Sequence, residues 1–201
     1  MSFTTYSDKY VFDLFPLWTQ EPEIEINFPI EKLQGLGVDY QSLYVTYPVF
    51  AVKNKYVFKD RASITEMNDL FDLMLGRYGN LWIPSWQKDI DLTVDIGATD
   101  TTINIENIDY STYYPATPGT GRYLFFYLRK GQWFIKKVTG VPSSTQLTIE
   151  SALGQAVAKS NRVSFLYFVR FDLDEIEWEY FSPNAAELTL FFRELPNEYP
   201  T

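Results

Sequence analysis

The sequence predicts a mainly β protein with one packed α-helix, and three observations carry that expectation. Apolar residues make up 46% of the 201 residues and aromatics 18%, enough to bury a sizeable core and to exclude a disordered chain. Most apolar runs are built of Tyr, Phe, Trp, Val, Ile and Thr, which fit a pleated surface, and several alternate with polar residues. Residues 63–74 alone show the three- and four-residue apolar spacing of an amphipathic helix.

Residues 1–23 mix aromatic and polar side chains without a clear period and read as an extended arm with one short strand, closing at Glu21-Pro22. Residues 23–30 alternate, with Ile24, Ile26 and Phe28 opposite Glu23, Glu25 and Asn27, as in a half-buried strand. After the Gly35-Leu36-Gly37 turn, residues 40–50 and 51–59 supply two more β-rich runs. Ser63 with Glu66 has the form of a capping box. Ile64, Met67, Leu70, Phe71 and Met74 then share one helix face, and Gly76 suits the C′ position with Arg77 beside the negative end of the dipole. Leu81-Trp82-Ile83-Pro84 reads as a strand that is an edge or ends at its proline.

Beyond Trp86 the texture changes. Residues 89–95 and 101–108 alternate around a Gly97 turn and predict a hairpin. Residues 110–121 form a Pro/Gly/Ser/Thr-rich loop, and residues 122–138 a second hairpin turning at Arg129-Lys130-Gly131. Strands at 146–150 and 162–171 flank a small helical or loop piece, and strands at 172–181 and 186–193 end the chain. The expected organisation is one domain of residues 1–87 with 172–201, carrying an inserted small antiparallel β-barrel of residues 88–171.

The chain has no cysteine and no histidine. That removes disulfides, thiolate chemistry, histidine-based serine triads and the usual zinc hydrolase sites. The formal net charge of −9 argues against gripping nucleic acid by its phosphates and suits a surface that nucleic acid must pass without sticking, or simply one that keeps an aromatic-rich protein in solution. No signal peptide or apolar run long enough for a membrane helix is evident, so the expectation is a protein made in the cytoplasm without membrane contact.

Carboxylates are the only plentiful catalytic groups: Asp89, Asp91 and Asp95 on one strand, and Asp172, Asp174, Glu175, Glu177 and Glu179 late in the chain. A glycosidase pair drawn from them is outweighed by the ordinary wet face of an antiparallel strand, and no calcium loop is spelled out. Among the aromatics, Tyr113 and Tyr114 fall in the Pro/Gly loop and form a possible exposed recognition site for a host glycan. The residues predict no catalytic site, no cofactor and no metal.

Gly76, Arg77, Leu81-Trp82-Ile83-Pro84-Ser85-Trp86-Gln87 and Asp89 resemble a pattern of tail-tip proteins of long-tailed bacteriophages, with Phe15-Pro16, Trp18, Leu147-Thr148-Ile149 and the strand from Glu187 to Phe192 in comparable places. The resemblance implies a distal tail protein with a tail-tube-like fold, a β-sandwich or split barrel curling around one helix. It implies a homo-oligomeric ring, hexameric in this family, in the virion tail tip. The ring joins the tail tube protein to hub, baseplate and fibre proteins while DNA passes through its lumen. Phe15, Trp18, Trp82 and Trp86 are the residues expected at an inter-subunit or tail interface. The competing expectation is a host-glycan-binding barrel module, or another hub component, of the same tail.

Overall fold

The computed structural model describes residues 3–17, 23–27, 30–34, 39–43, 49–114, 122–129, 131–196 and 198–199. It is mainly β, with large antiparallel pairing and two helices among the described residues. In chain order the elements are β1 (Thr5–Tyr6), β2 (Lys9–Tyr10), β3 (Glu23–Asn27), β4 (Ile30–Gln34), β5 (Asp39–Leu43), β6 (Val49–Phe58), α1 (Arg61–Met74) and β7 (Asn80–Pro84). There follow β8 (Thr102–Asn104), α2 (Tyr110–Tyr113), β9 (Tyr123–Arg129), β10 (Gln132–Ser143), β11 (Gln146–Ile149), β12 (Arg162–Phe171), β13 (Trp178–Ser182) and β14 (Ala185–Glu194). Among the described residues, no helix is long and apolar enough to cross a membrane.

The chain divides into two compact units. The first takes in Leu14–Asn80 and Val169–Pro196; the second takes in Phe3–Asp13 and Leu81–Phe168 with the end of the chain. The sequence places the divisions at 87/88 and 171/172 and assigns the N-terminal arm to the outer domain. Residues 3–13 instead belong with the second unit.

In the first unit, β14 pairs with β6 from Ala186↔Phe58 to Arg193↔Ala51, and β6 pairs with β3 from Glu23↔Lys53 to Asn27↔Val49. On its other side β14 takes β13 along its first half and the last three residues of β12 along its second. The period-two pattern turns Asn54, Tyr56, Phe58, Ala186, Leu188, Leu190 and Phe192 inward. Helix α1 sets Ile64, Met67, Leu70, Phe71 and Met74, all buried, into this core. Phe71 lies 5.4 Å from Phe171, which lies 5.3 Å from Phe192. Trp178 stands edge-on to Phe58 at 5.0 Å and donates Nε1–H to Asn68 of α1 at 2.9 Å. Each apolar side chain of the helix face contributes roughly 1.5–3 kcal/mol by burial, so packing rather than propensity holds α1.

Both ends of α1 differ from the sequence expectation by a residue or more. The N-cap is Asp60, whose Oδ1 accepts from Ser63 N–H at 2.8 Å and Oδ2 from the Ser63 hydroxyl at 3.0 Å. Ser63 therefore sits in the first turn, and the Ser63/Glu66 capping box is not formed. At the other end Leu75, not Gly76, takes the left-handed C′ position at φ 52°. Leu75 N–H bonds to Asp72 O and Gly76 N–H to Phe71 O, the pairings of a Schellman motif.

The second unit runs β7-β12-β9-β10-β11-β8. The expected strand at 89–95 is not regular. Ile90 N–H bonds to Val163 O of β12, while Thr93 N–H bonds to Asn104 O of β8, so the segment divides its hydrogen bonds between two neighbours. The piece at 151–160 is not helical, and meets the same segment through the Val157↔Ile96 bridge. The arm is a small hairpin, β1 with β2, turning on Ser7 and Asp8 at positive φ. It is tied down by Phe12 N–H to Trp82 O at 2.8 Å and by Trp82 Nε1–H to Tyr6 O at 3.0 Å.

Candidate functional site

Residues 76–89, which carry the family resemblance, are built almost entirely from backbone constraints. Gly76 has φ +60°, and a Cβ there would stand 3.2 Å from Leu173 O. Gly79 N–H bonds to Met74 O at 2.7 Å, and a Cβ on it would lie 2.8 Å from Met74 backbone atoms. β7 ends at Pro84, which has no N–H to continue the ladder. Ser85 N–H bonds to Phe165 O at 2.9 Å, and Trp86 turns left-handed at φ 59° with its indole wholly buried.

A half-buried clamp holds this turn. Asp89 Oδ2 accepts from the Ser85 hydroxyl and from Phe165 N–H at 2.8 Å. Ser85 Oγ accepts in turn from Gln87 N–H at 3.1 Å, and the Ser164 hydroxyl donates to Gln87 O. Burial pushes the Asp89 carboxyl above the usual carboxylate range, against the opposing pull of the Ser85 and Phe165 hydrogen bonds. The Tyr114 phenol is also raised, by burial first and by the Asp89 charge second. With its proton on Asp89 and a lone pair on Gln87, Ser85 is held as a turn-former rather than presented as a nucleophile.

Most of the acids are tied up in ion pairs and backbone hydrogen bonds, and Asp172 and Asp174 share Arg77. Asp91 pairs with Lys88, and Asp95 accepts from Lys159 N–H at 2.8 Å, so neither joins Asp89. Asp172 accepts from Arg193 at 2.6 Å, Asp174 pairs with Arg77 at 3.3 Å, and Glu179 pairs with Lys55 at 3.3 Å. Among the described residues, no three potential metal ligands come together.

The residues expected at an interface part company. Trp82 and Trp86 are both wholly buried, a correction: Trp82 lies 4.8 Å from Phe168 and 4.9 Å from Tyr123, and Trp86 stands edge-on to Phe125 at 5.5 Å. Their indoles are core of the second unit, as aromatics on a covered strand usually are. Phe15 is 40% exposed, and Trp18 lies outside the described residues. The expected recognition loop begins instead as the short helix α2. Tyr113 is 66% exposed, but Tyr114 packs on Phe165 at 4.8 Å and is half-buried, so one of the two expected glycan-stacking rings faces inward.

What remains available is the outer face and edge of the first unit's sheet. Lys53 pairs with Glu23 at 3.2 Å and lies over the Phe191 ring, while Lys55 bridges Glu179 and Glu187. Tyr180, Phe181 and Ile24 are exposed apolar residues on the flanking strands β13 and β3. The unit as a whole is acidic: its residues 14–80 and 169–196 hold 16 acidic and 8 basic residues, a net −8 of the chain's −9. Sequence reasoning saw the late acids as possible catalysts and passed over Tyr180 and Phe181. The signal that could have found them is two adjacent aromatics in an acidic run just before a Pro-Asn turn. The chain matches no protein-family model, and no curated protein matches it.

Proposed function

We propose that the chain is a structural subunit of a bacteriophage tail tip, a distal tail protein whose copies form a ring between the tail tube and the hub or baseplate. The observation that carries this reading is the construction of residues 76–89. The residues of the resemblance are a left-handed glycine, a strand-ending proline, a buried left-handed tryptophan and the Ser85–Asp89 clamp. A motif made of such positions marks a common backbone rather than a common chemistry. Support also comes from α1 setting its buried face against an antiparallel sheet. The tail-tube-like arrangement, the virion location and the fibre-side partners belong to the same proposal. A net −8 on the unit that would form the ring suits a lumen through which DNA passes without specific binding.

The test is negative-stain imaging with light scattering over a series of protein and salt concentrations. Closed rings with a central hole are expected. A strict monomer under every condition overturns the ring.

A further inference from the structure

We propose that the free edge of β13 is a docking site for an extended, lysine- or arginine-rich segment of a partner protein, which adds to it as a further strand. The inference does not depend on the tail-tip reading. β13 pairs with β14 along one side, through Trp178↔Leu188, Glu179↔Glu187 and Tyr180↔Ala186. Among the described residues, nothing pairs with its other side. A row of open N–H and C=O groups is a template for another strand, and main-chain bonds of this kind supply affinity while side-chain pockets supply choice.

The choice is legible in what flanks the edge. Tyr180 and Phe181 are 53% and 59% exposed, and a register shift between Tyr180 and Ser182 leaves Phe181 without an opposite residue on β14. Glu179, Tyr180, Phe181 and Glu187 line one shallow cleft. Leading into the strand, Asp174, Glu175, Glu177 and Glu179 are all exposed. Asp174 is balanced by Arg77 and Glu179 by Lys55, whereas Glu175 and Glu177 make no ion pair among the described residues. A partner strand with cations at alternate positions would present them on one face, toward the Glu179 carboxylate, and its apolar residues on the other, beside Tyr180.

A second copy of this chain is disfavoured as occupant. Among the described residues the other free sheet edge of this unit is β3, which carries Glu23 and Glu25, and β13 against β13 would likewise oppose carboxylates. Like charges directly opposite destabilise a strand pair. Charge on an edge also guards against indiscriminate pairing, so the same carboxylates that repel copies select a basic partner.

The test uses the intact chain and three labelled peptides of about eight residues, a typical strand length. One alternates lysine with valine. The second has the same sequence with every backbone nitrogen methylated, keeping the charge but leaving no main-chain donor on either edge. The third alternates glutamate with valine. Fluorescence anisotropy should show one-to-one binding of the first, binding at least about tenfold weaker of the second, and none of the third. Glu175→Lys with Glu177→Lys, two exposed positions checked for folding by circular dichroism, should weaken the first peptide by about tenfold or more. Equal binding of the methylated peptide would reduce the effect to charge alone. That result, no binding of the lysine peptide, or unchanged binding by the folded double variant, overturns the proposal.

Discussion

Two side chains show how closely local chemistry sets this backbone. Leu75 holds a left-handed conformation that costs a non-glycine residue about 1–2 kcal/mol, and its side chain is 71% exposed, so little burial offsets the strain. Leu75→Gly removes the strain and adds unfolded-state entropy worth about 0.5–1 kcal/mol. The expected net is a stabilisation of about 0.5–1 kcal/mol in urea unfolding, with the Schellman bonds kept. Asp89 makes a pH prediction. Its folded pKa lies above the ordinary carboxylate value, so between the two the folded chain holds more protons than the unfolded one. Stability from this group is therefore gained as pH falls through the folded value, and is lost as pH rises. Both clamp bonds arrive at Oδ2, and the Oδ1 of an asparagine can accept both. Asp89→Asn should therefore gain on the wild type as pH rises from about 4 to 7. A variant that falls further behind over that range would mean the ionised carboxylate is favoured in the fold. At this scale sequence reading chose a cap of the right kind in the wrong place. Asp60 and Ser63 are both good N-cap residues three apart, and only the start of the helix at Arg61 decides between them.

At the scale of elements, legibility depended on whether one neighbour or two satisfied a segment. The helix face follows one period against one core, the β9–β10 hairpin holds one ladder, and both patterns were readable. Residues 89–95 alternate as cleanly. Ile90 and Leu92 are buried, but their backbone bonds pass from β12 to β8 within four residues, so no ladder forms. Periodicity reports which face is buried and not who holds the backbone. Two core tryptophans were misplaced for a related reason: a Trp-Ile-Pro-Ser-Trp run looks the same whether strands of its own unit or a neighbouring subunit cover it. The turn after α1 gives this scale its prediction. A Cβ at Gly79 would lie 2.8 Å from Met74 Cα and O, backbone atoms that cannot swing aside. Gly79→Ala should cost about 2 kcal/mol or more, read as a fall in the urea midpoint with unchanged slope. An alanine tolerated at no cost would show that the turn after α1 can relax around Met74.

The charge of the whole molecule is visible in the composition, but its partition is not, because it appears only once the units are known. The first unit carries −8 and the second, with 9 basic and 10 acidic residues, about neutral charge at −1. Any assembly that brings first units of several copies together must work against their mutual repulsion, which acts over a Debye length of ~30 Å at 0.01 M salt and ~10 Å at 0.1 M. If copies associate through these units, raising salt from about 0.02 to 0.5 M should increase the assembled fraction at fixed protein concentration in light scattering. Assembly driven instead by opposite charges across the contact would dissolve over the same range. The β13 site has the reverse dependence, since its partner is basic and its attraction weakens with salt. Self-association rising with salt while lysine-peptide binding falls would therefore separate two surfaces of one acidic unit, one meeting its own kind through neutral contacts and the other selecting a cationic strand.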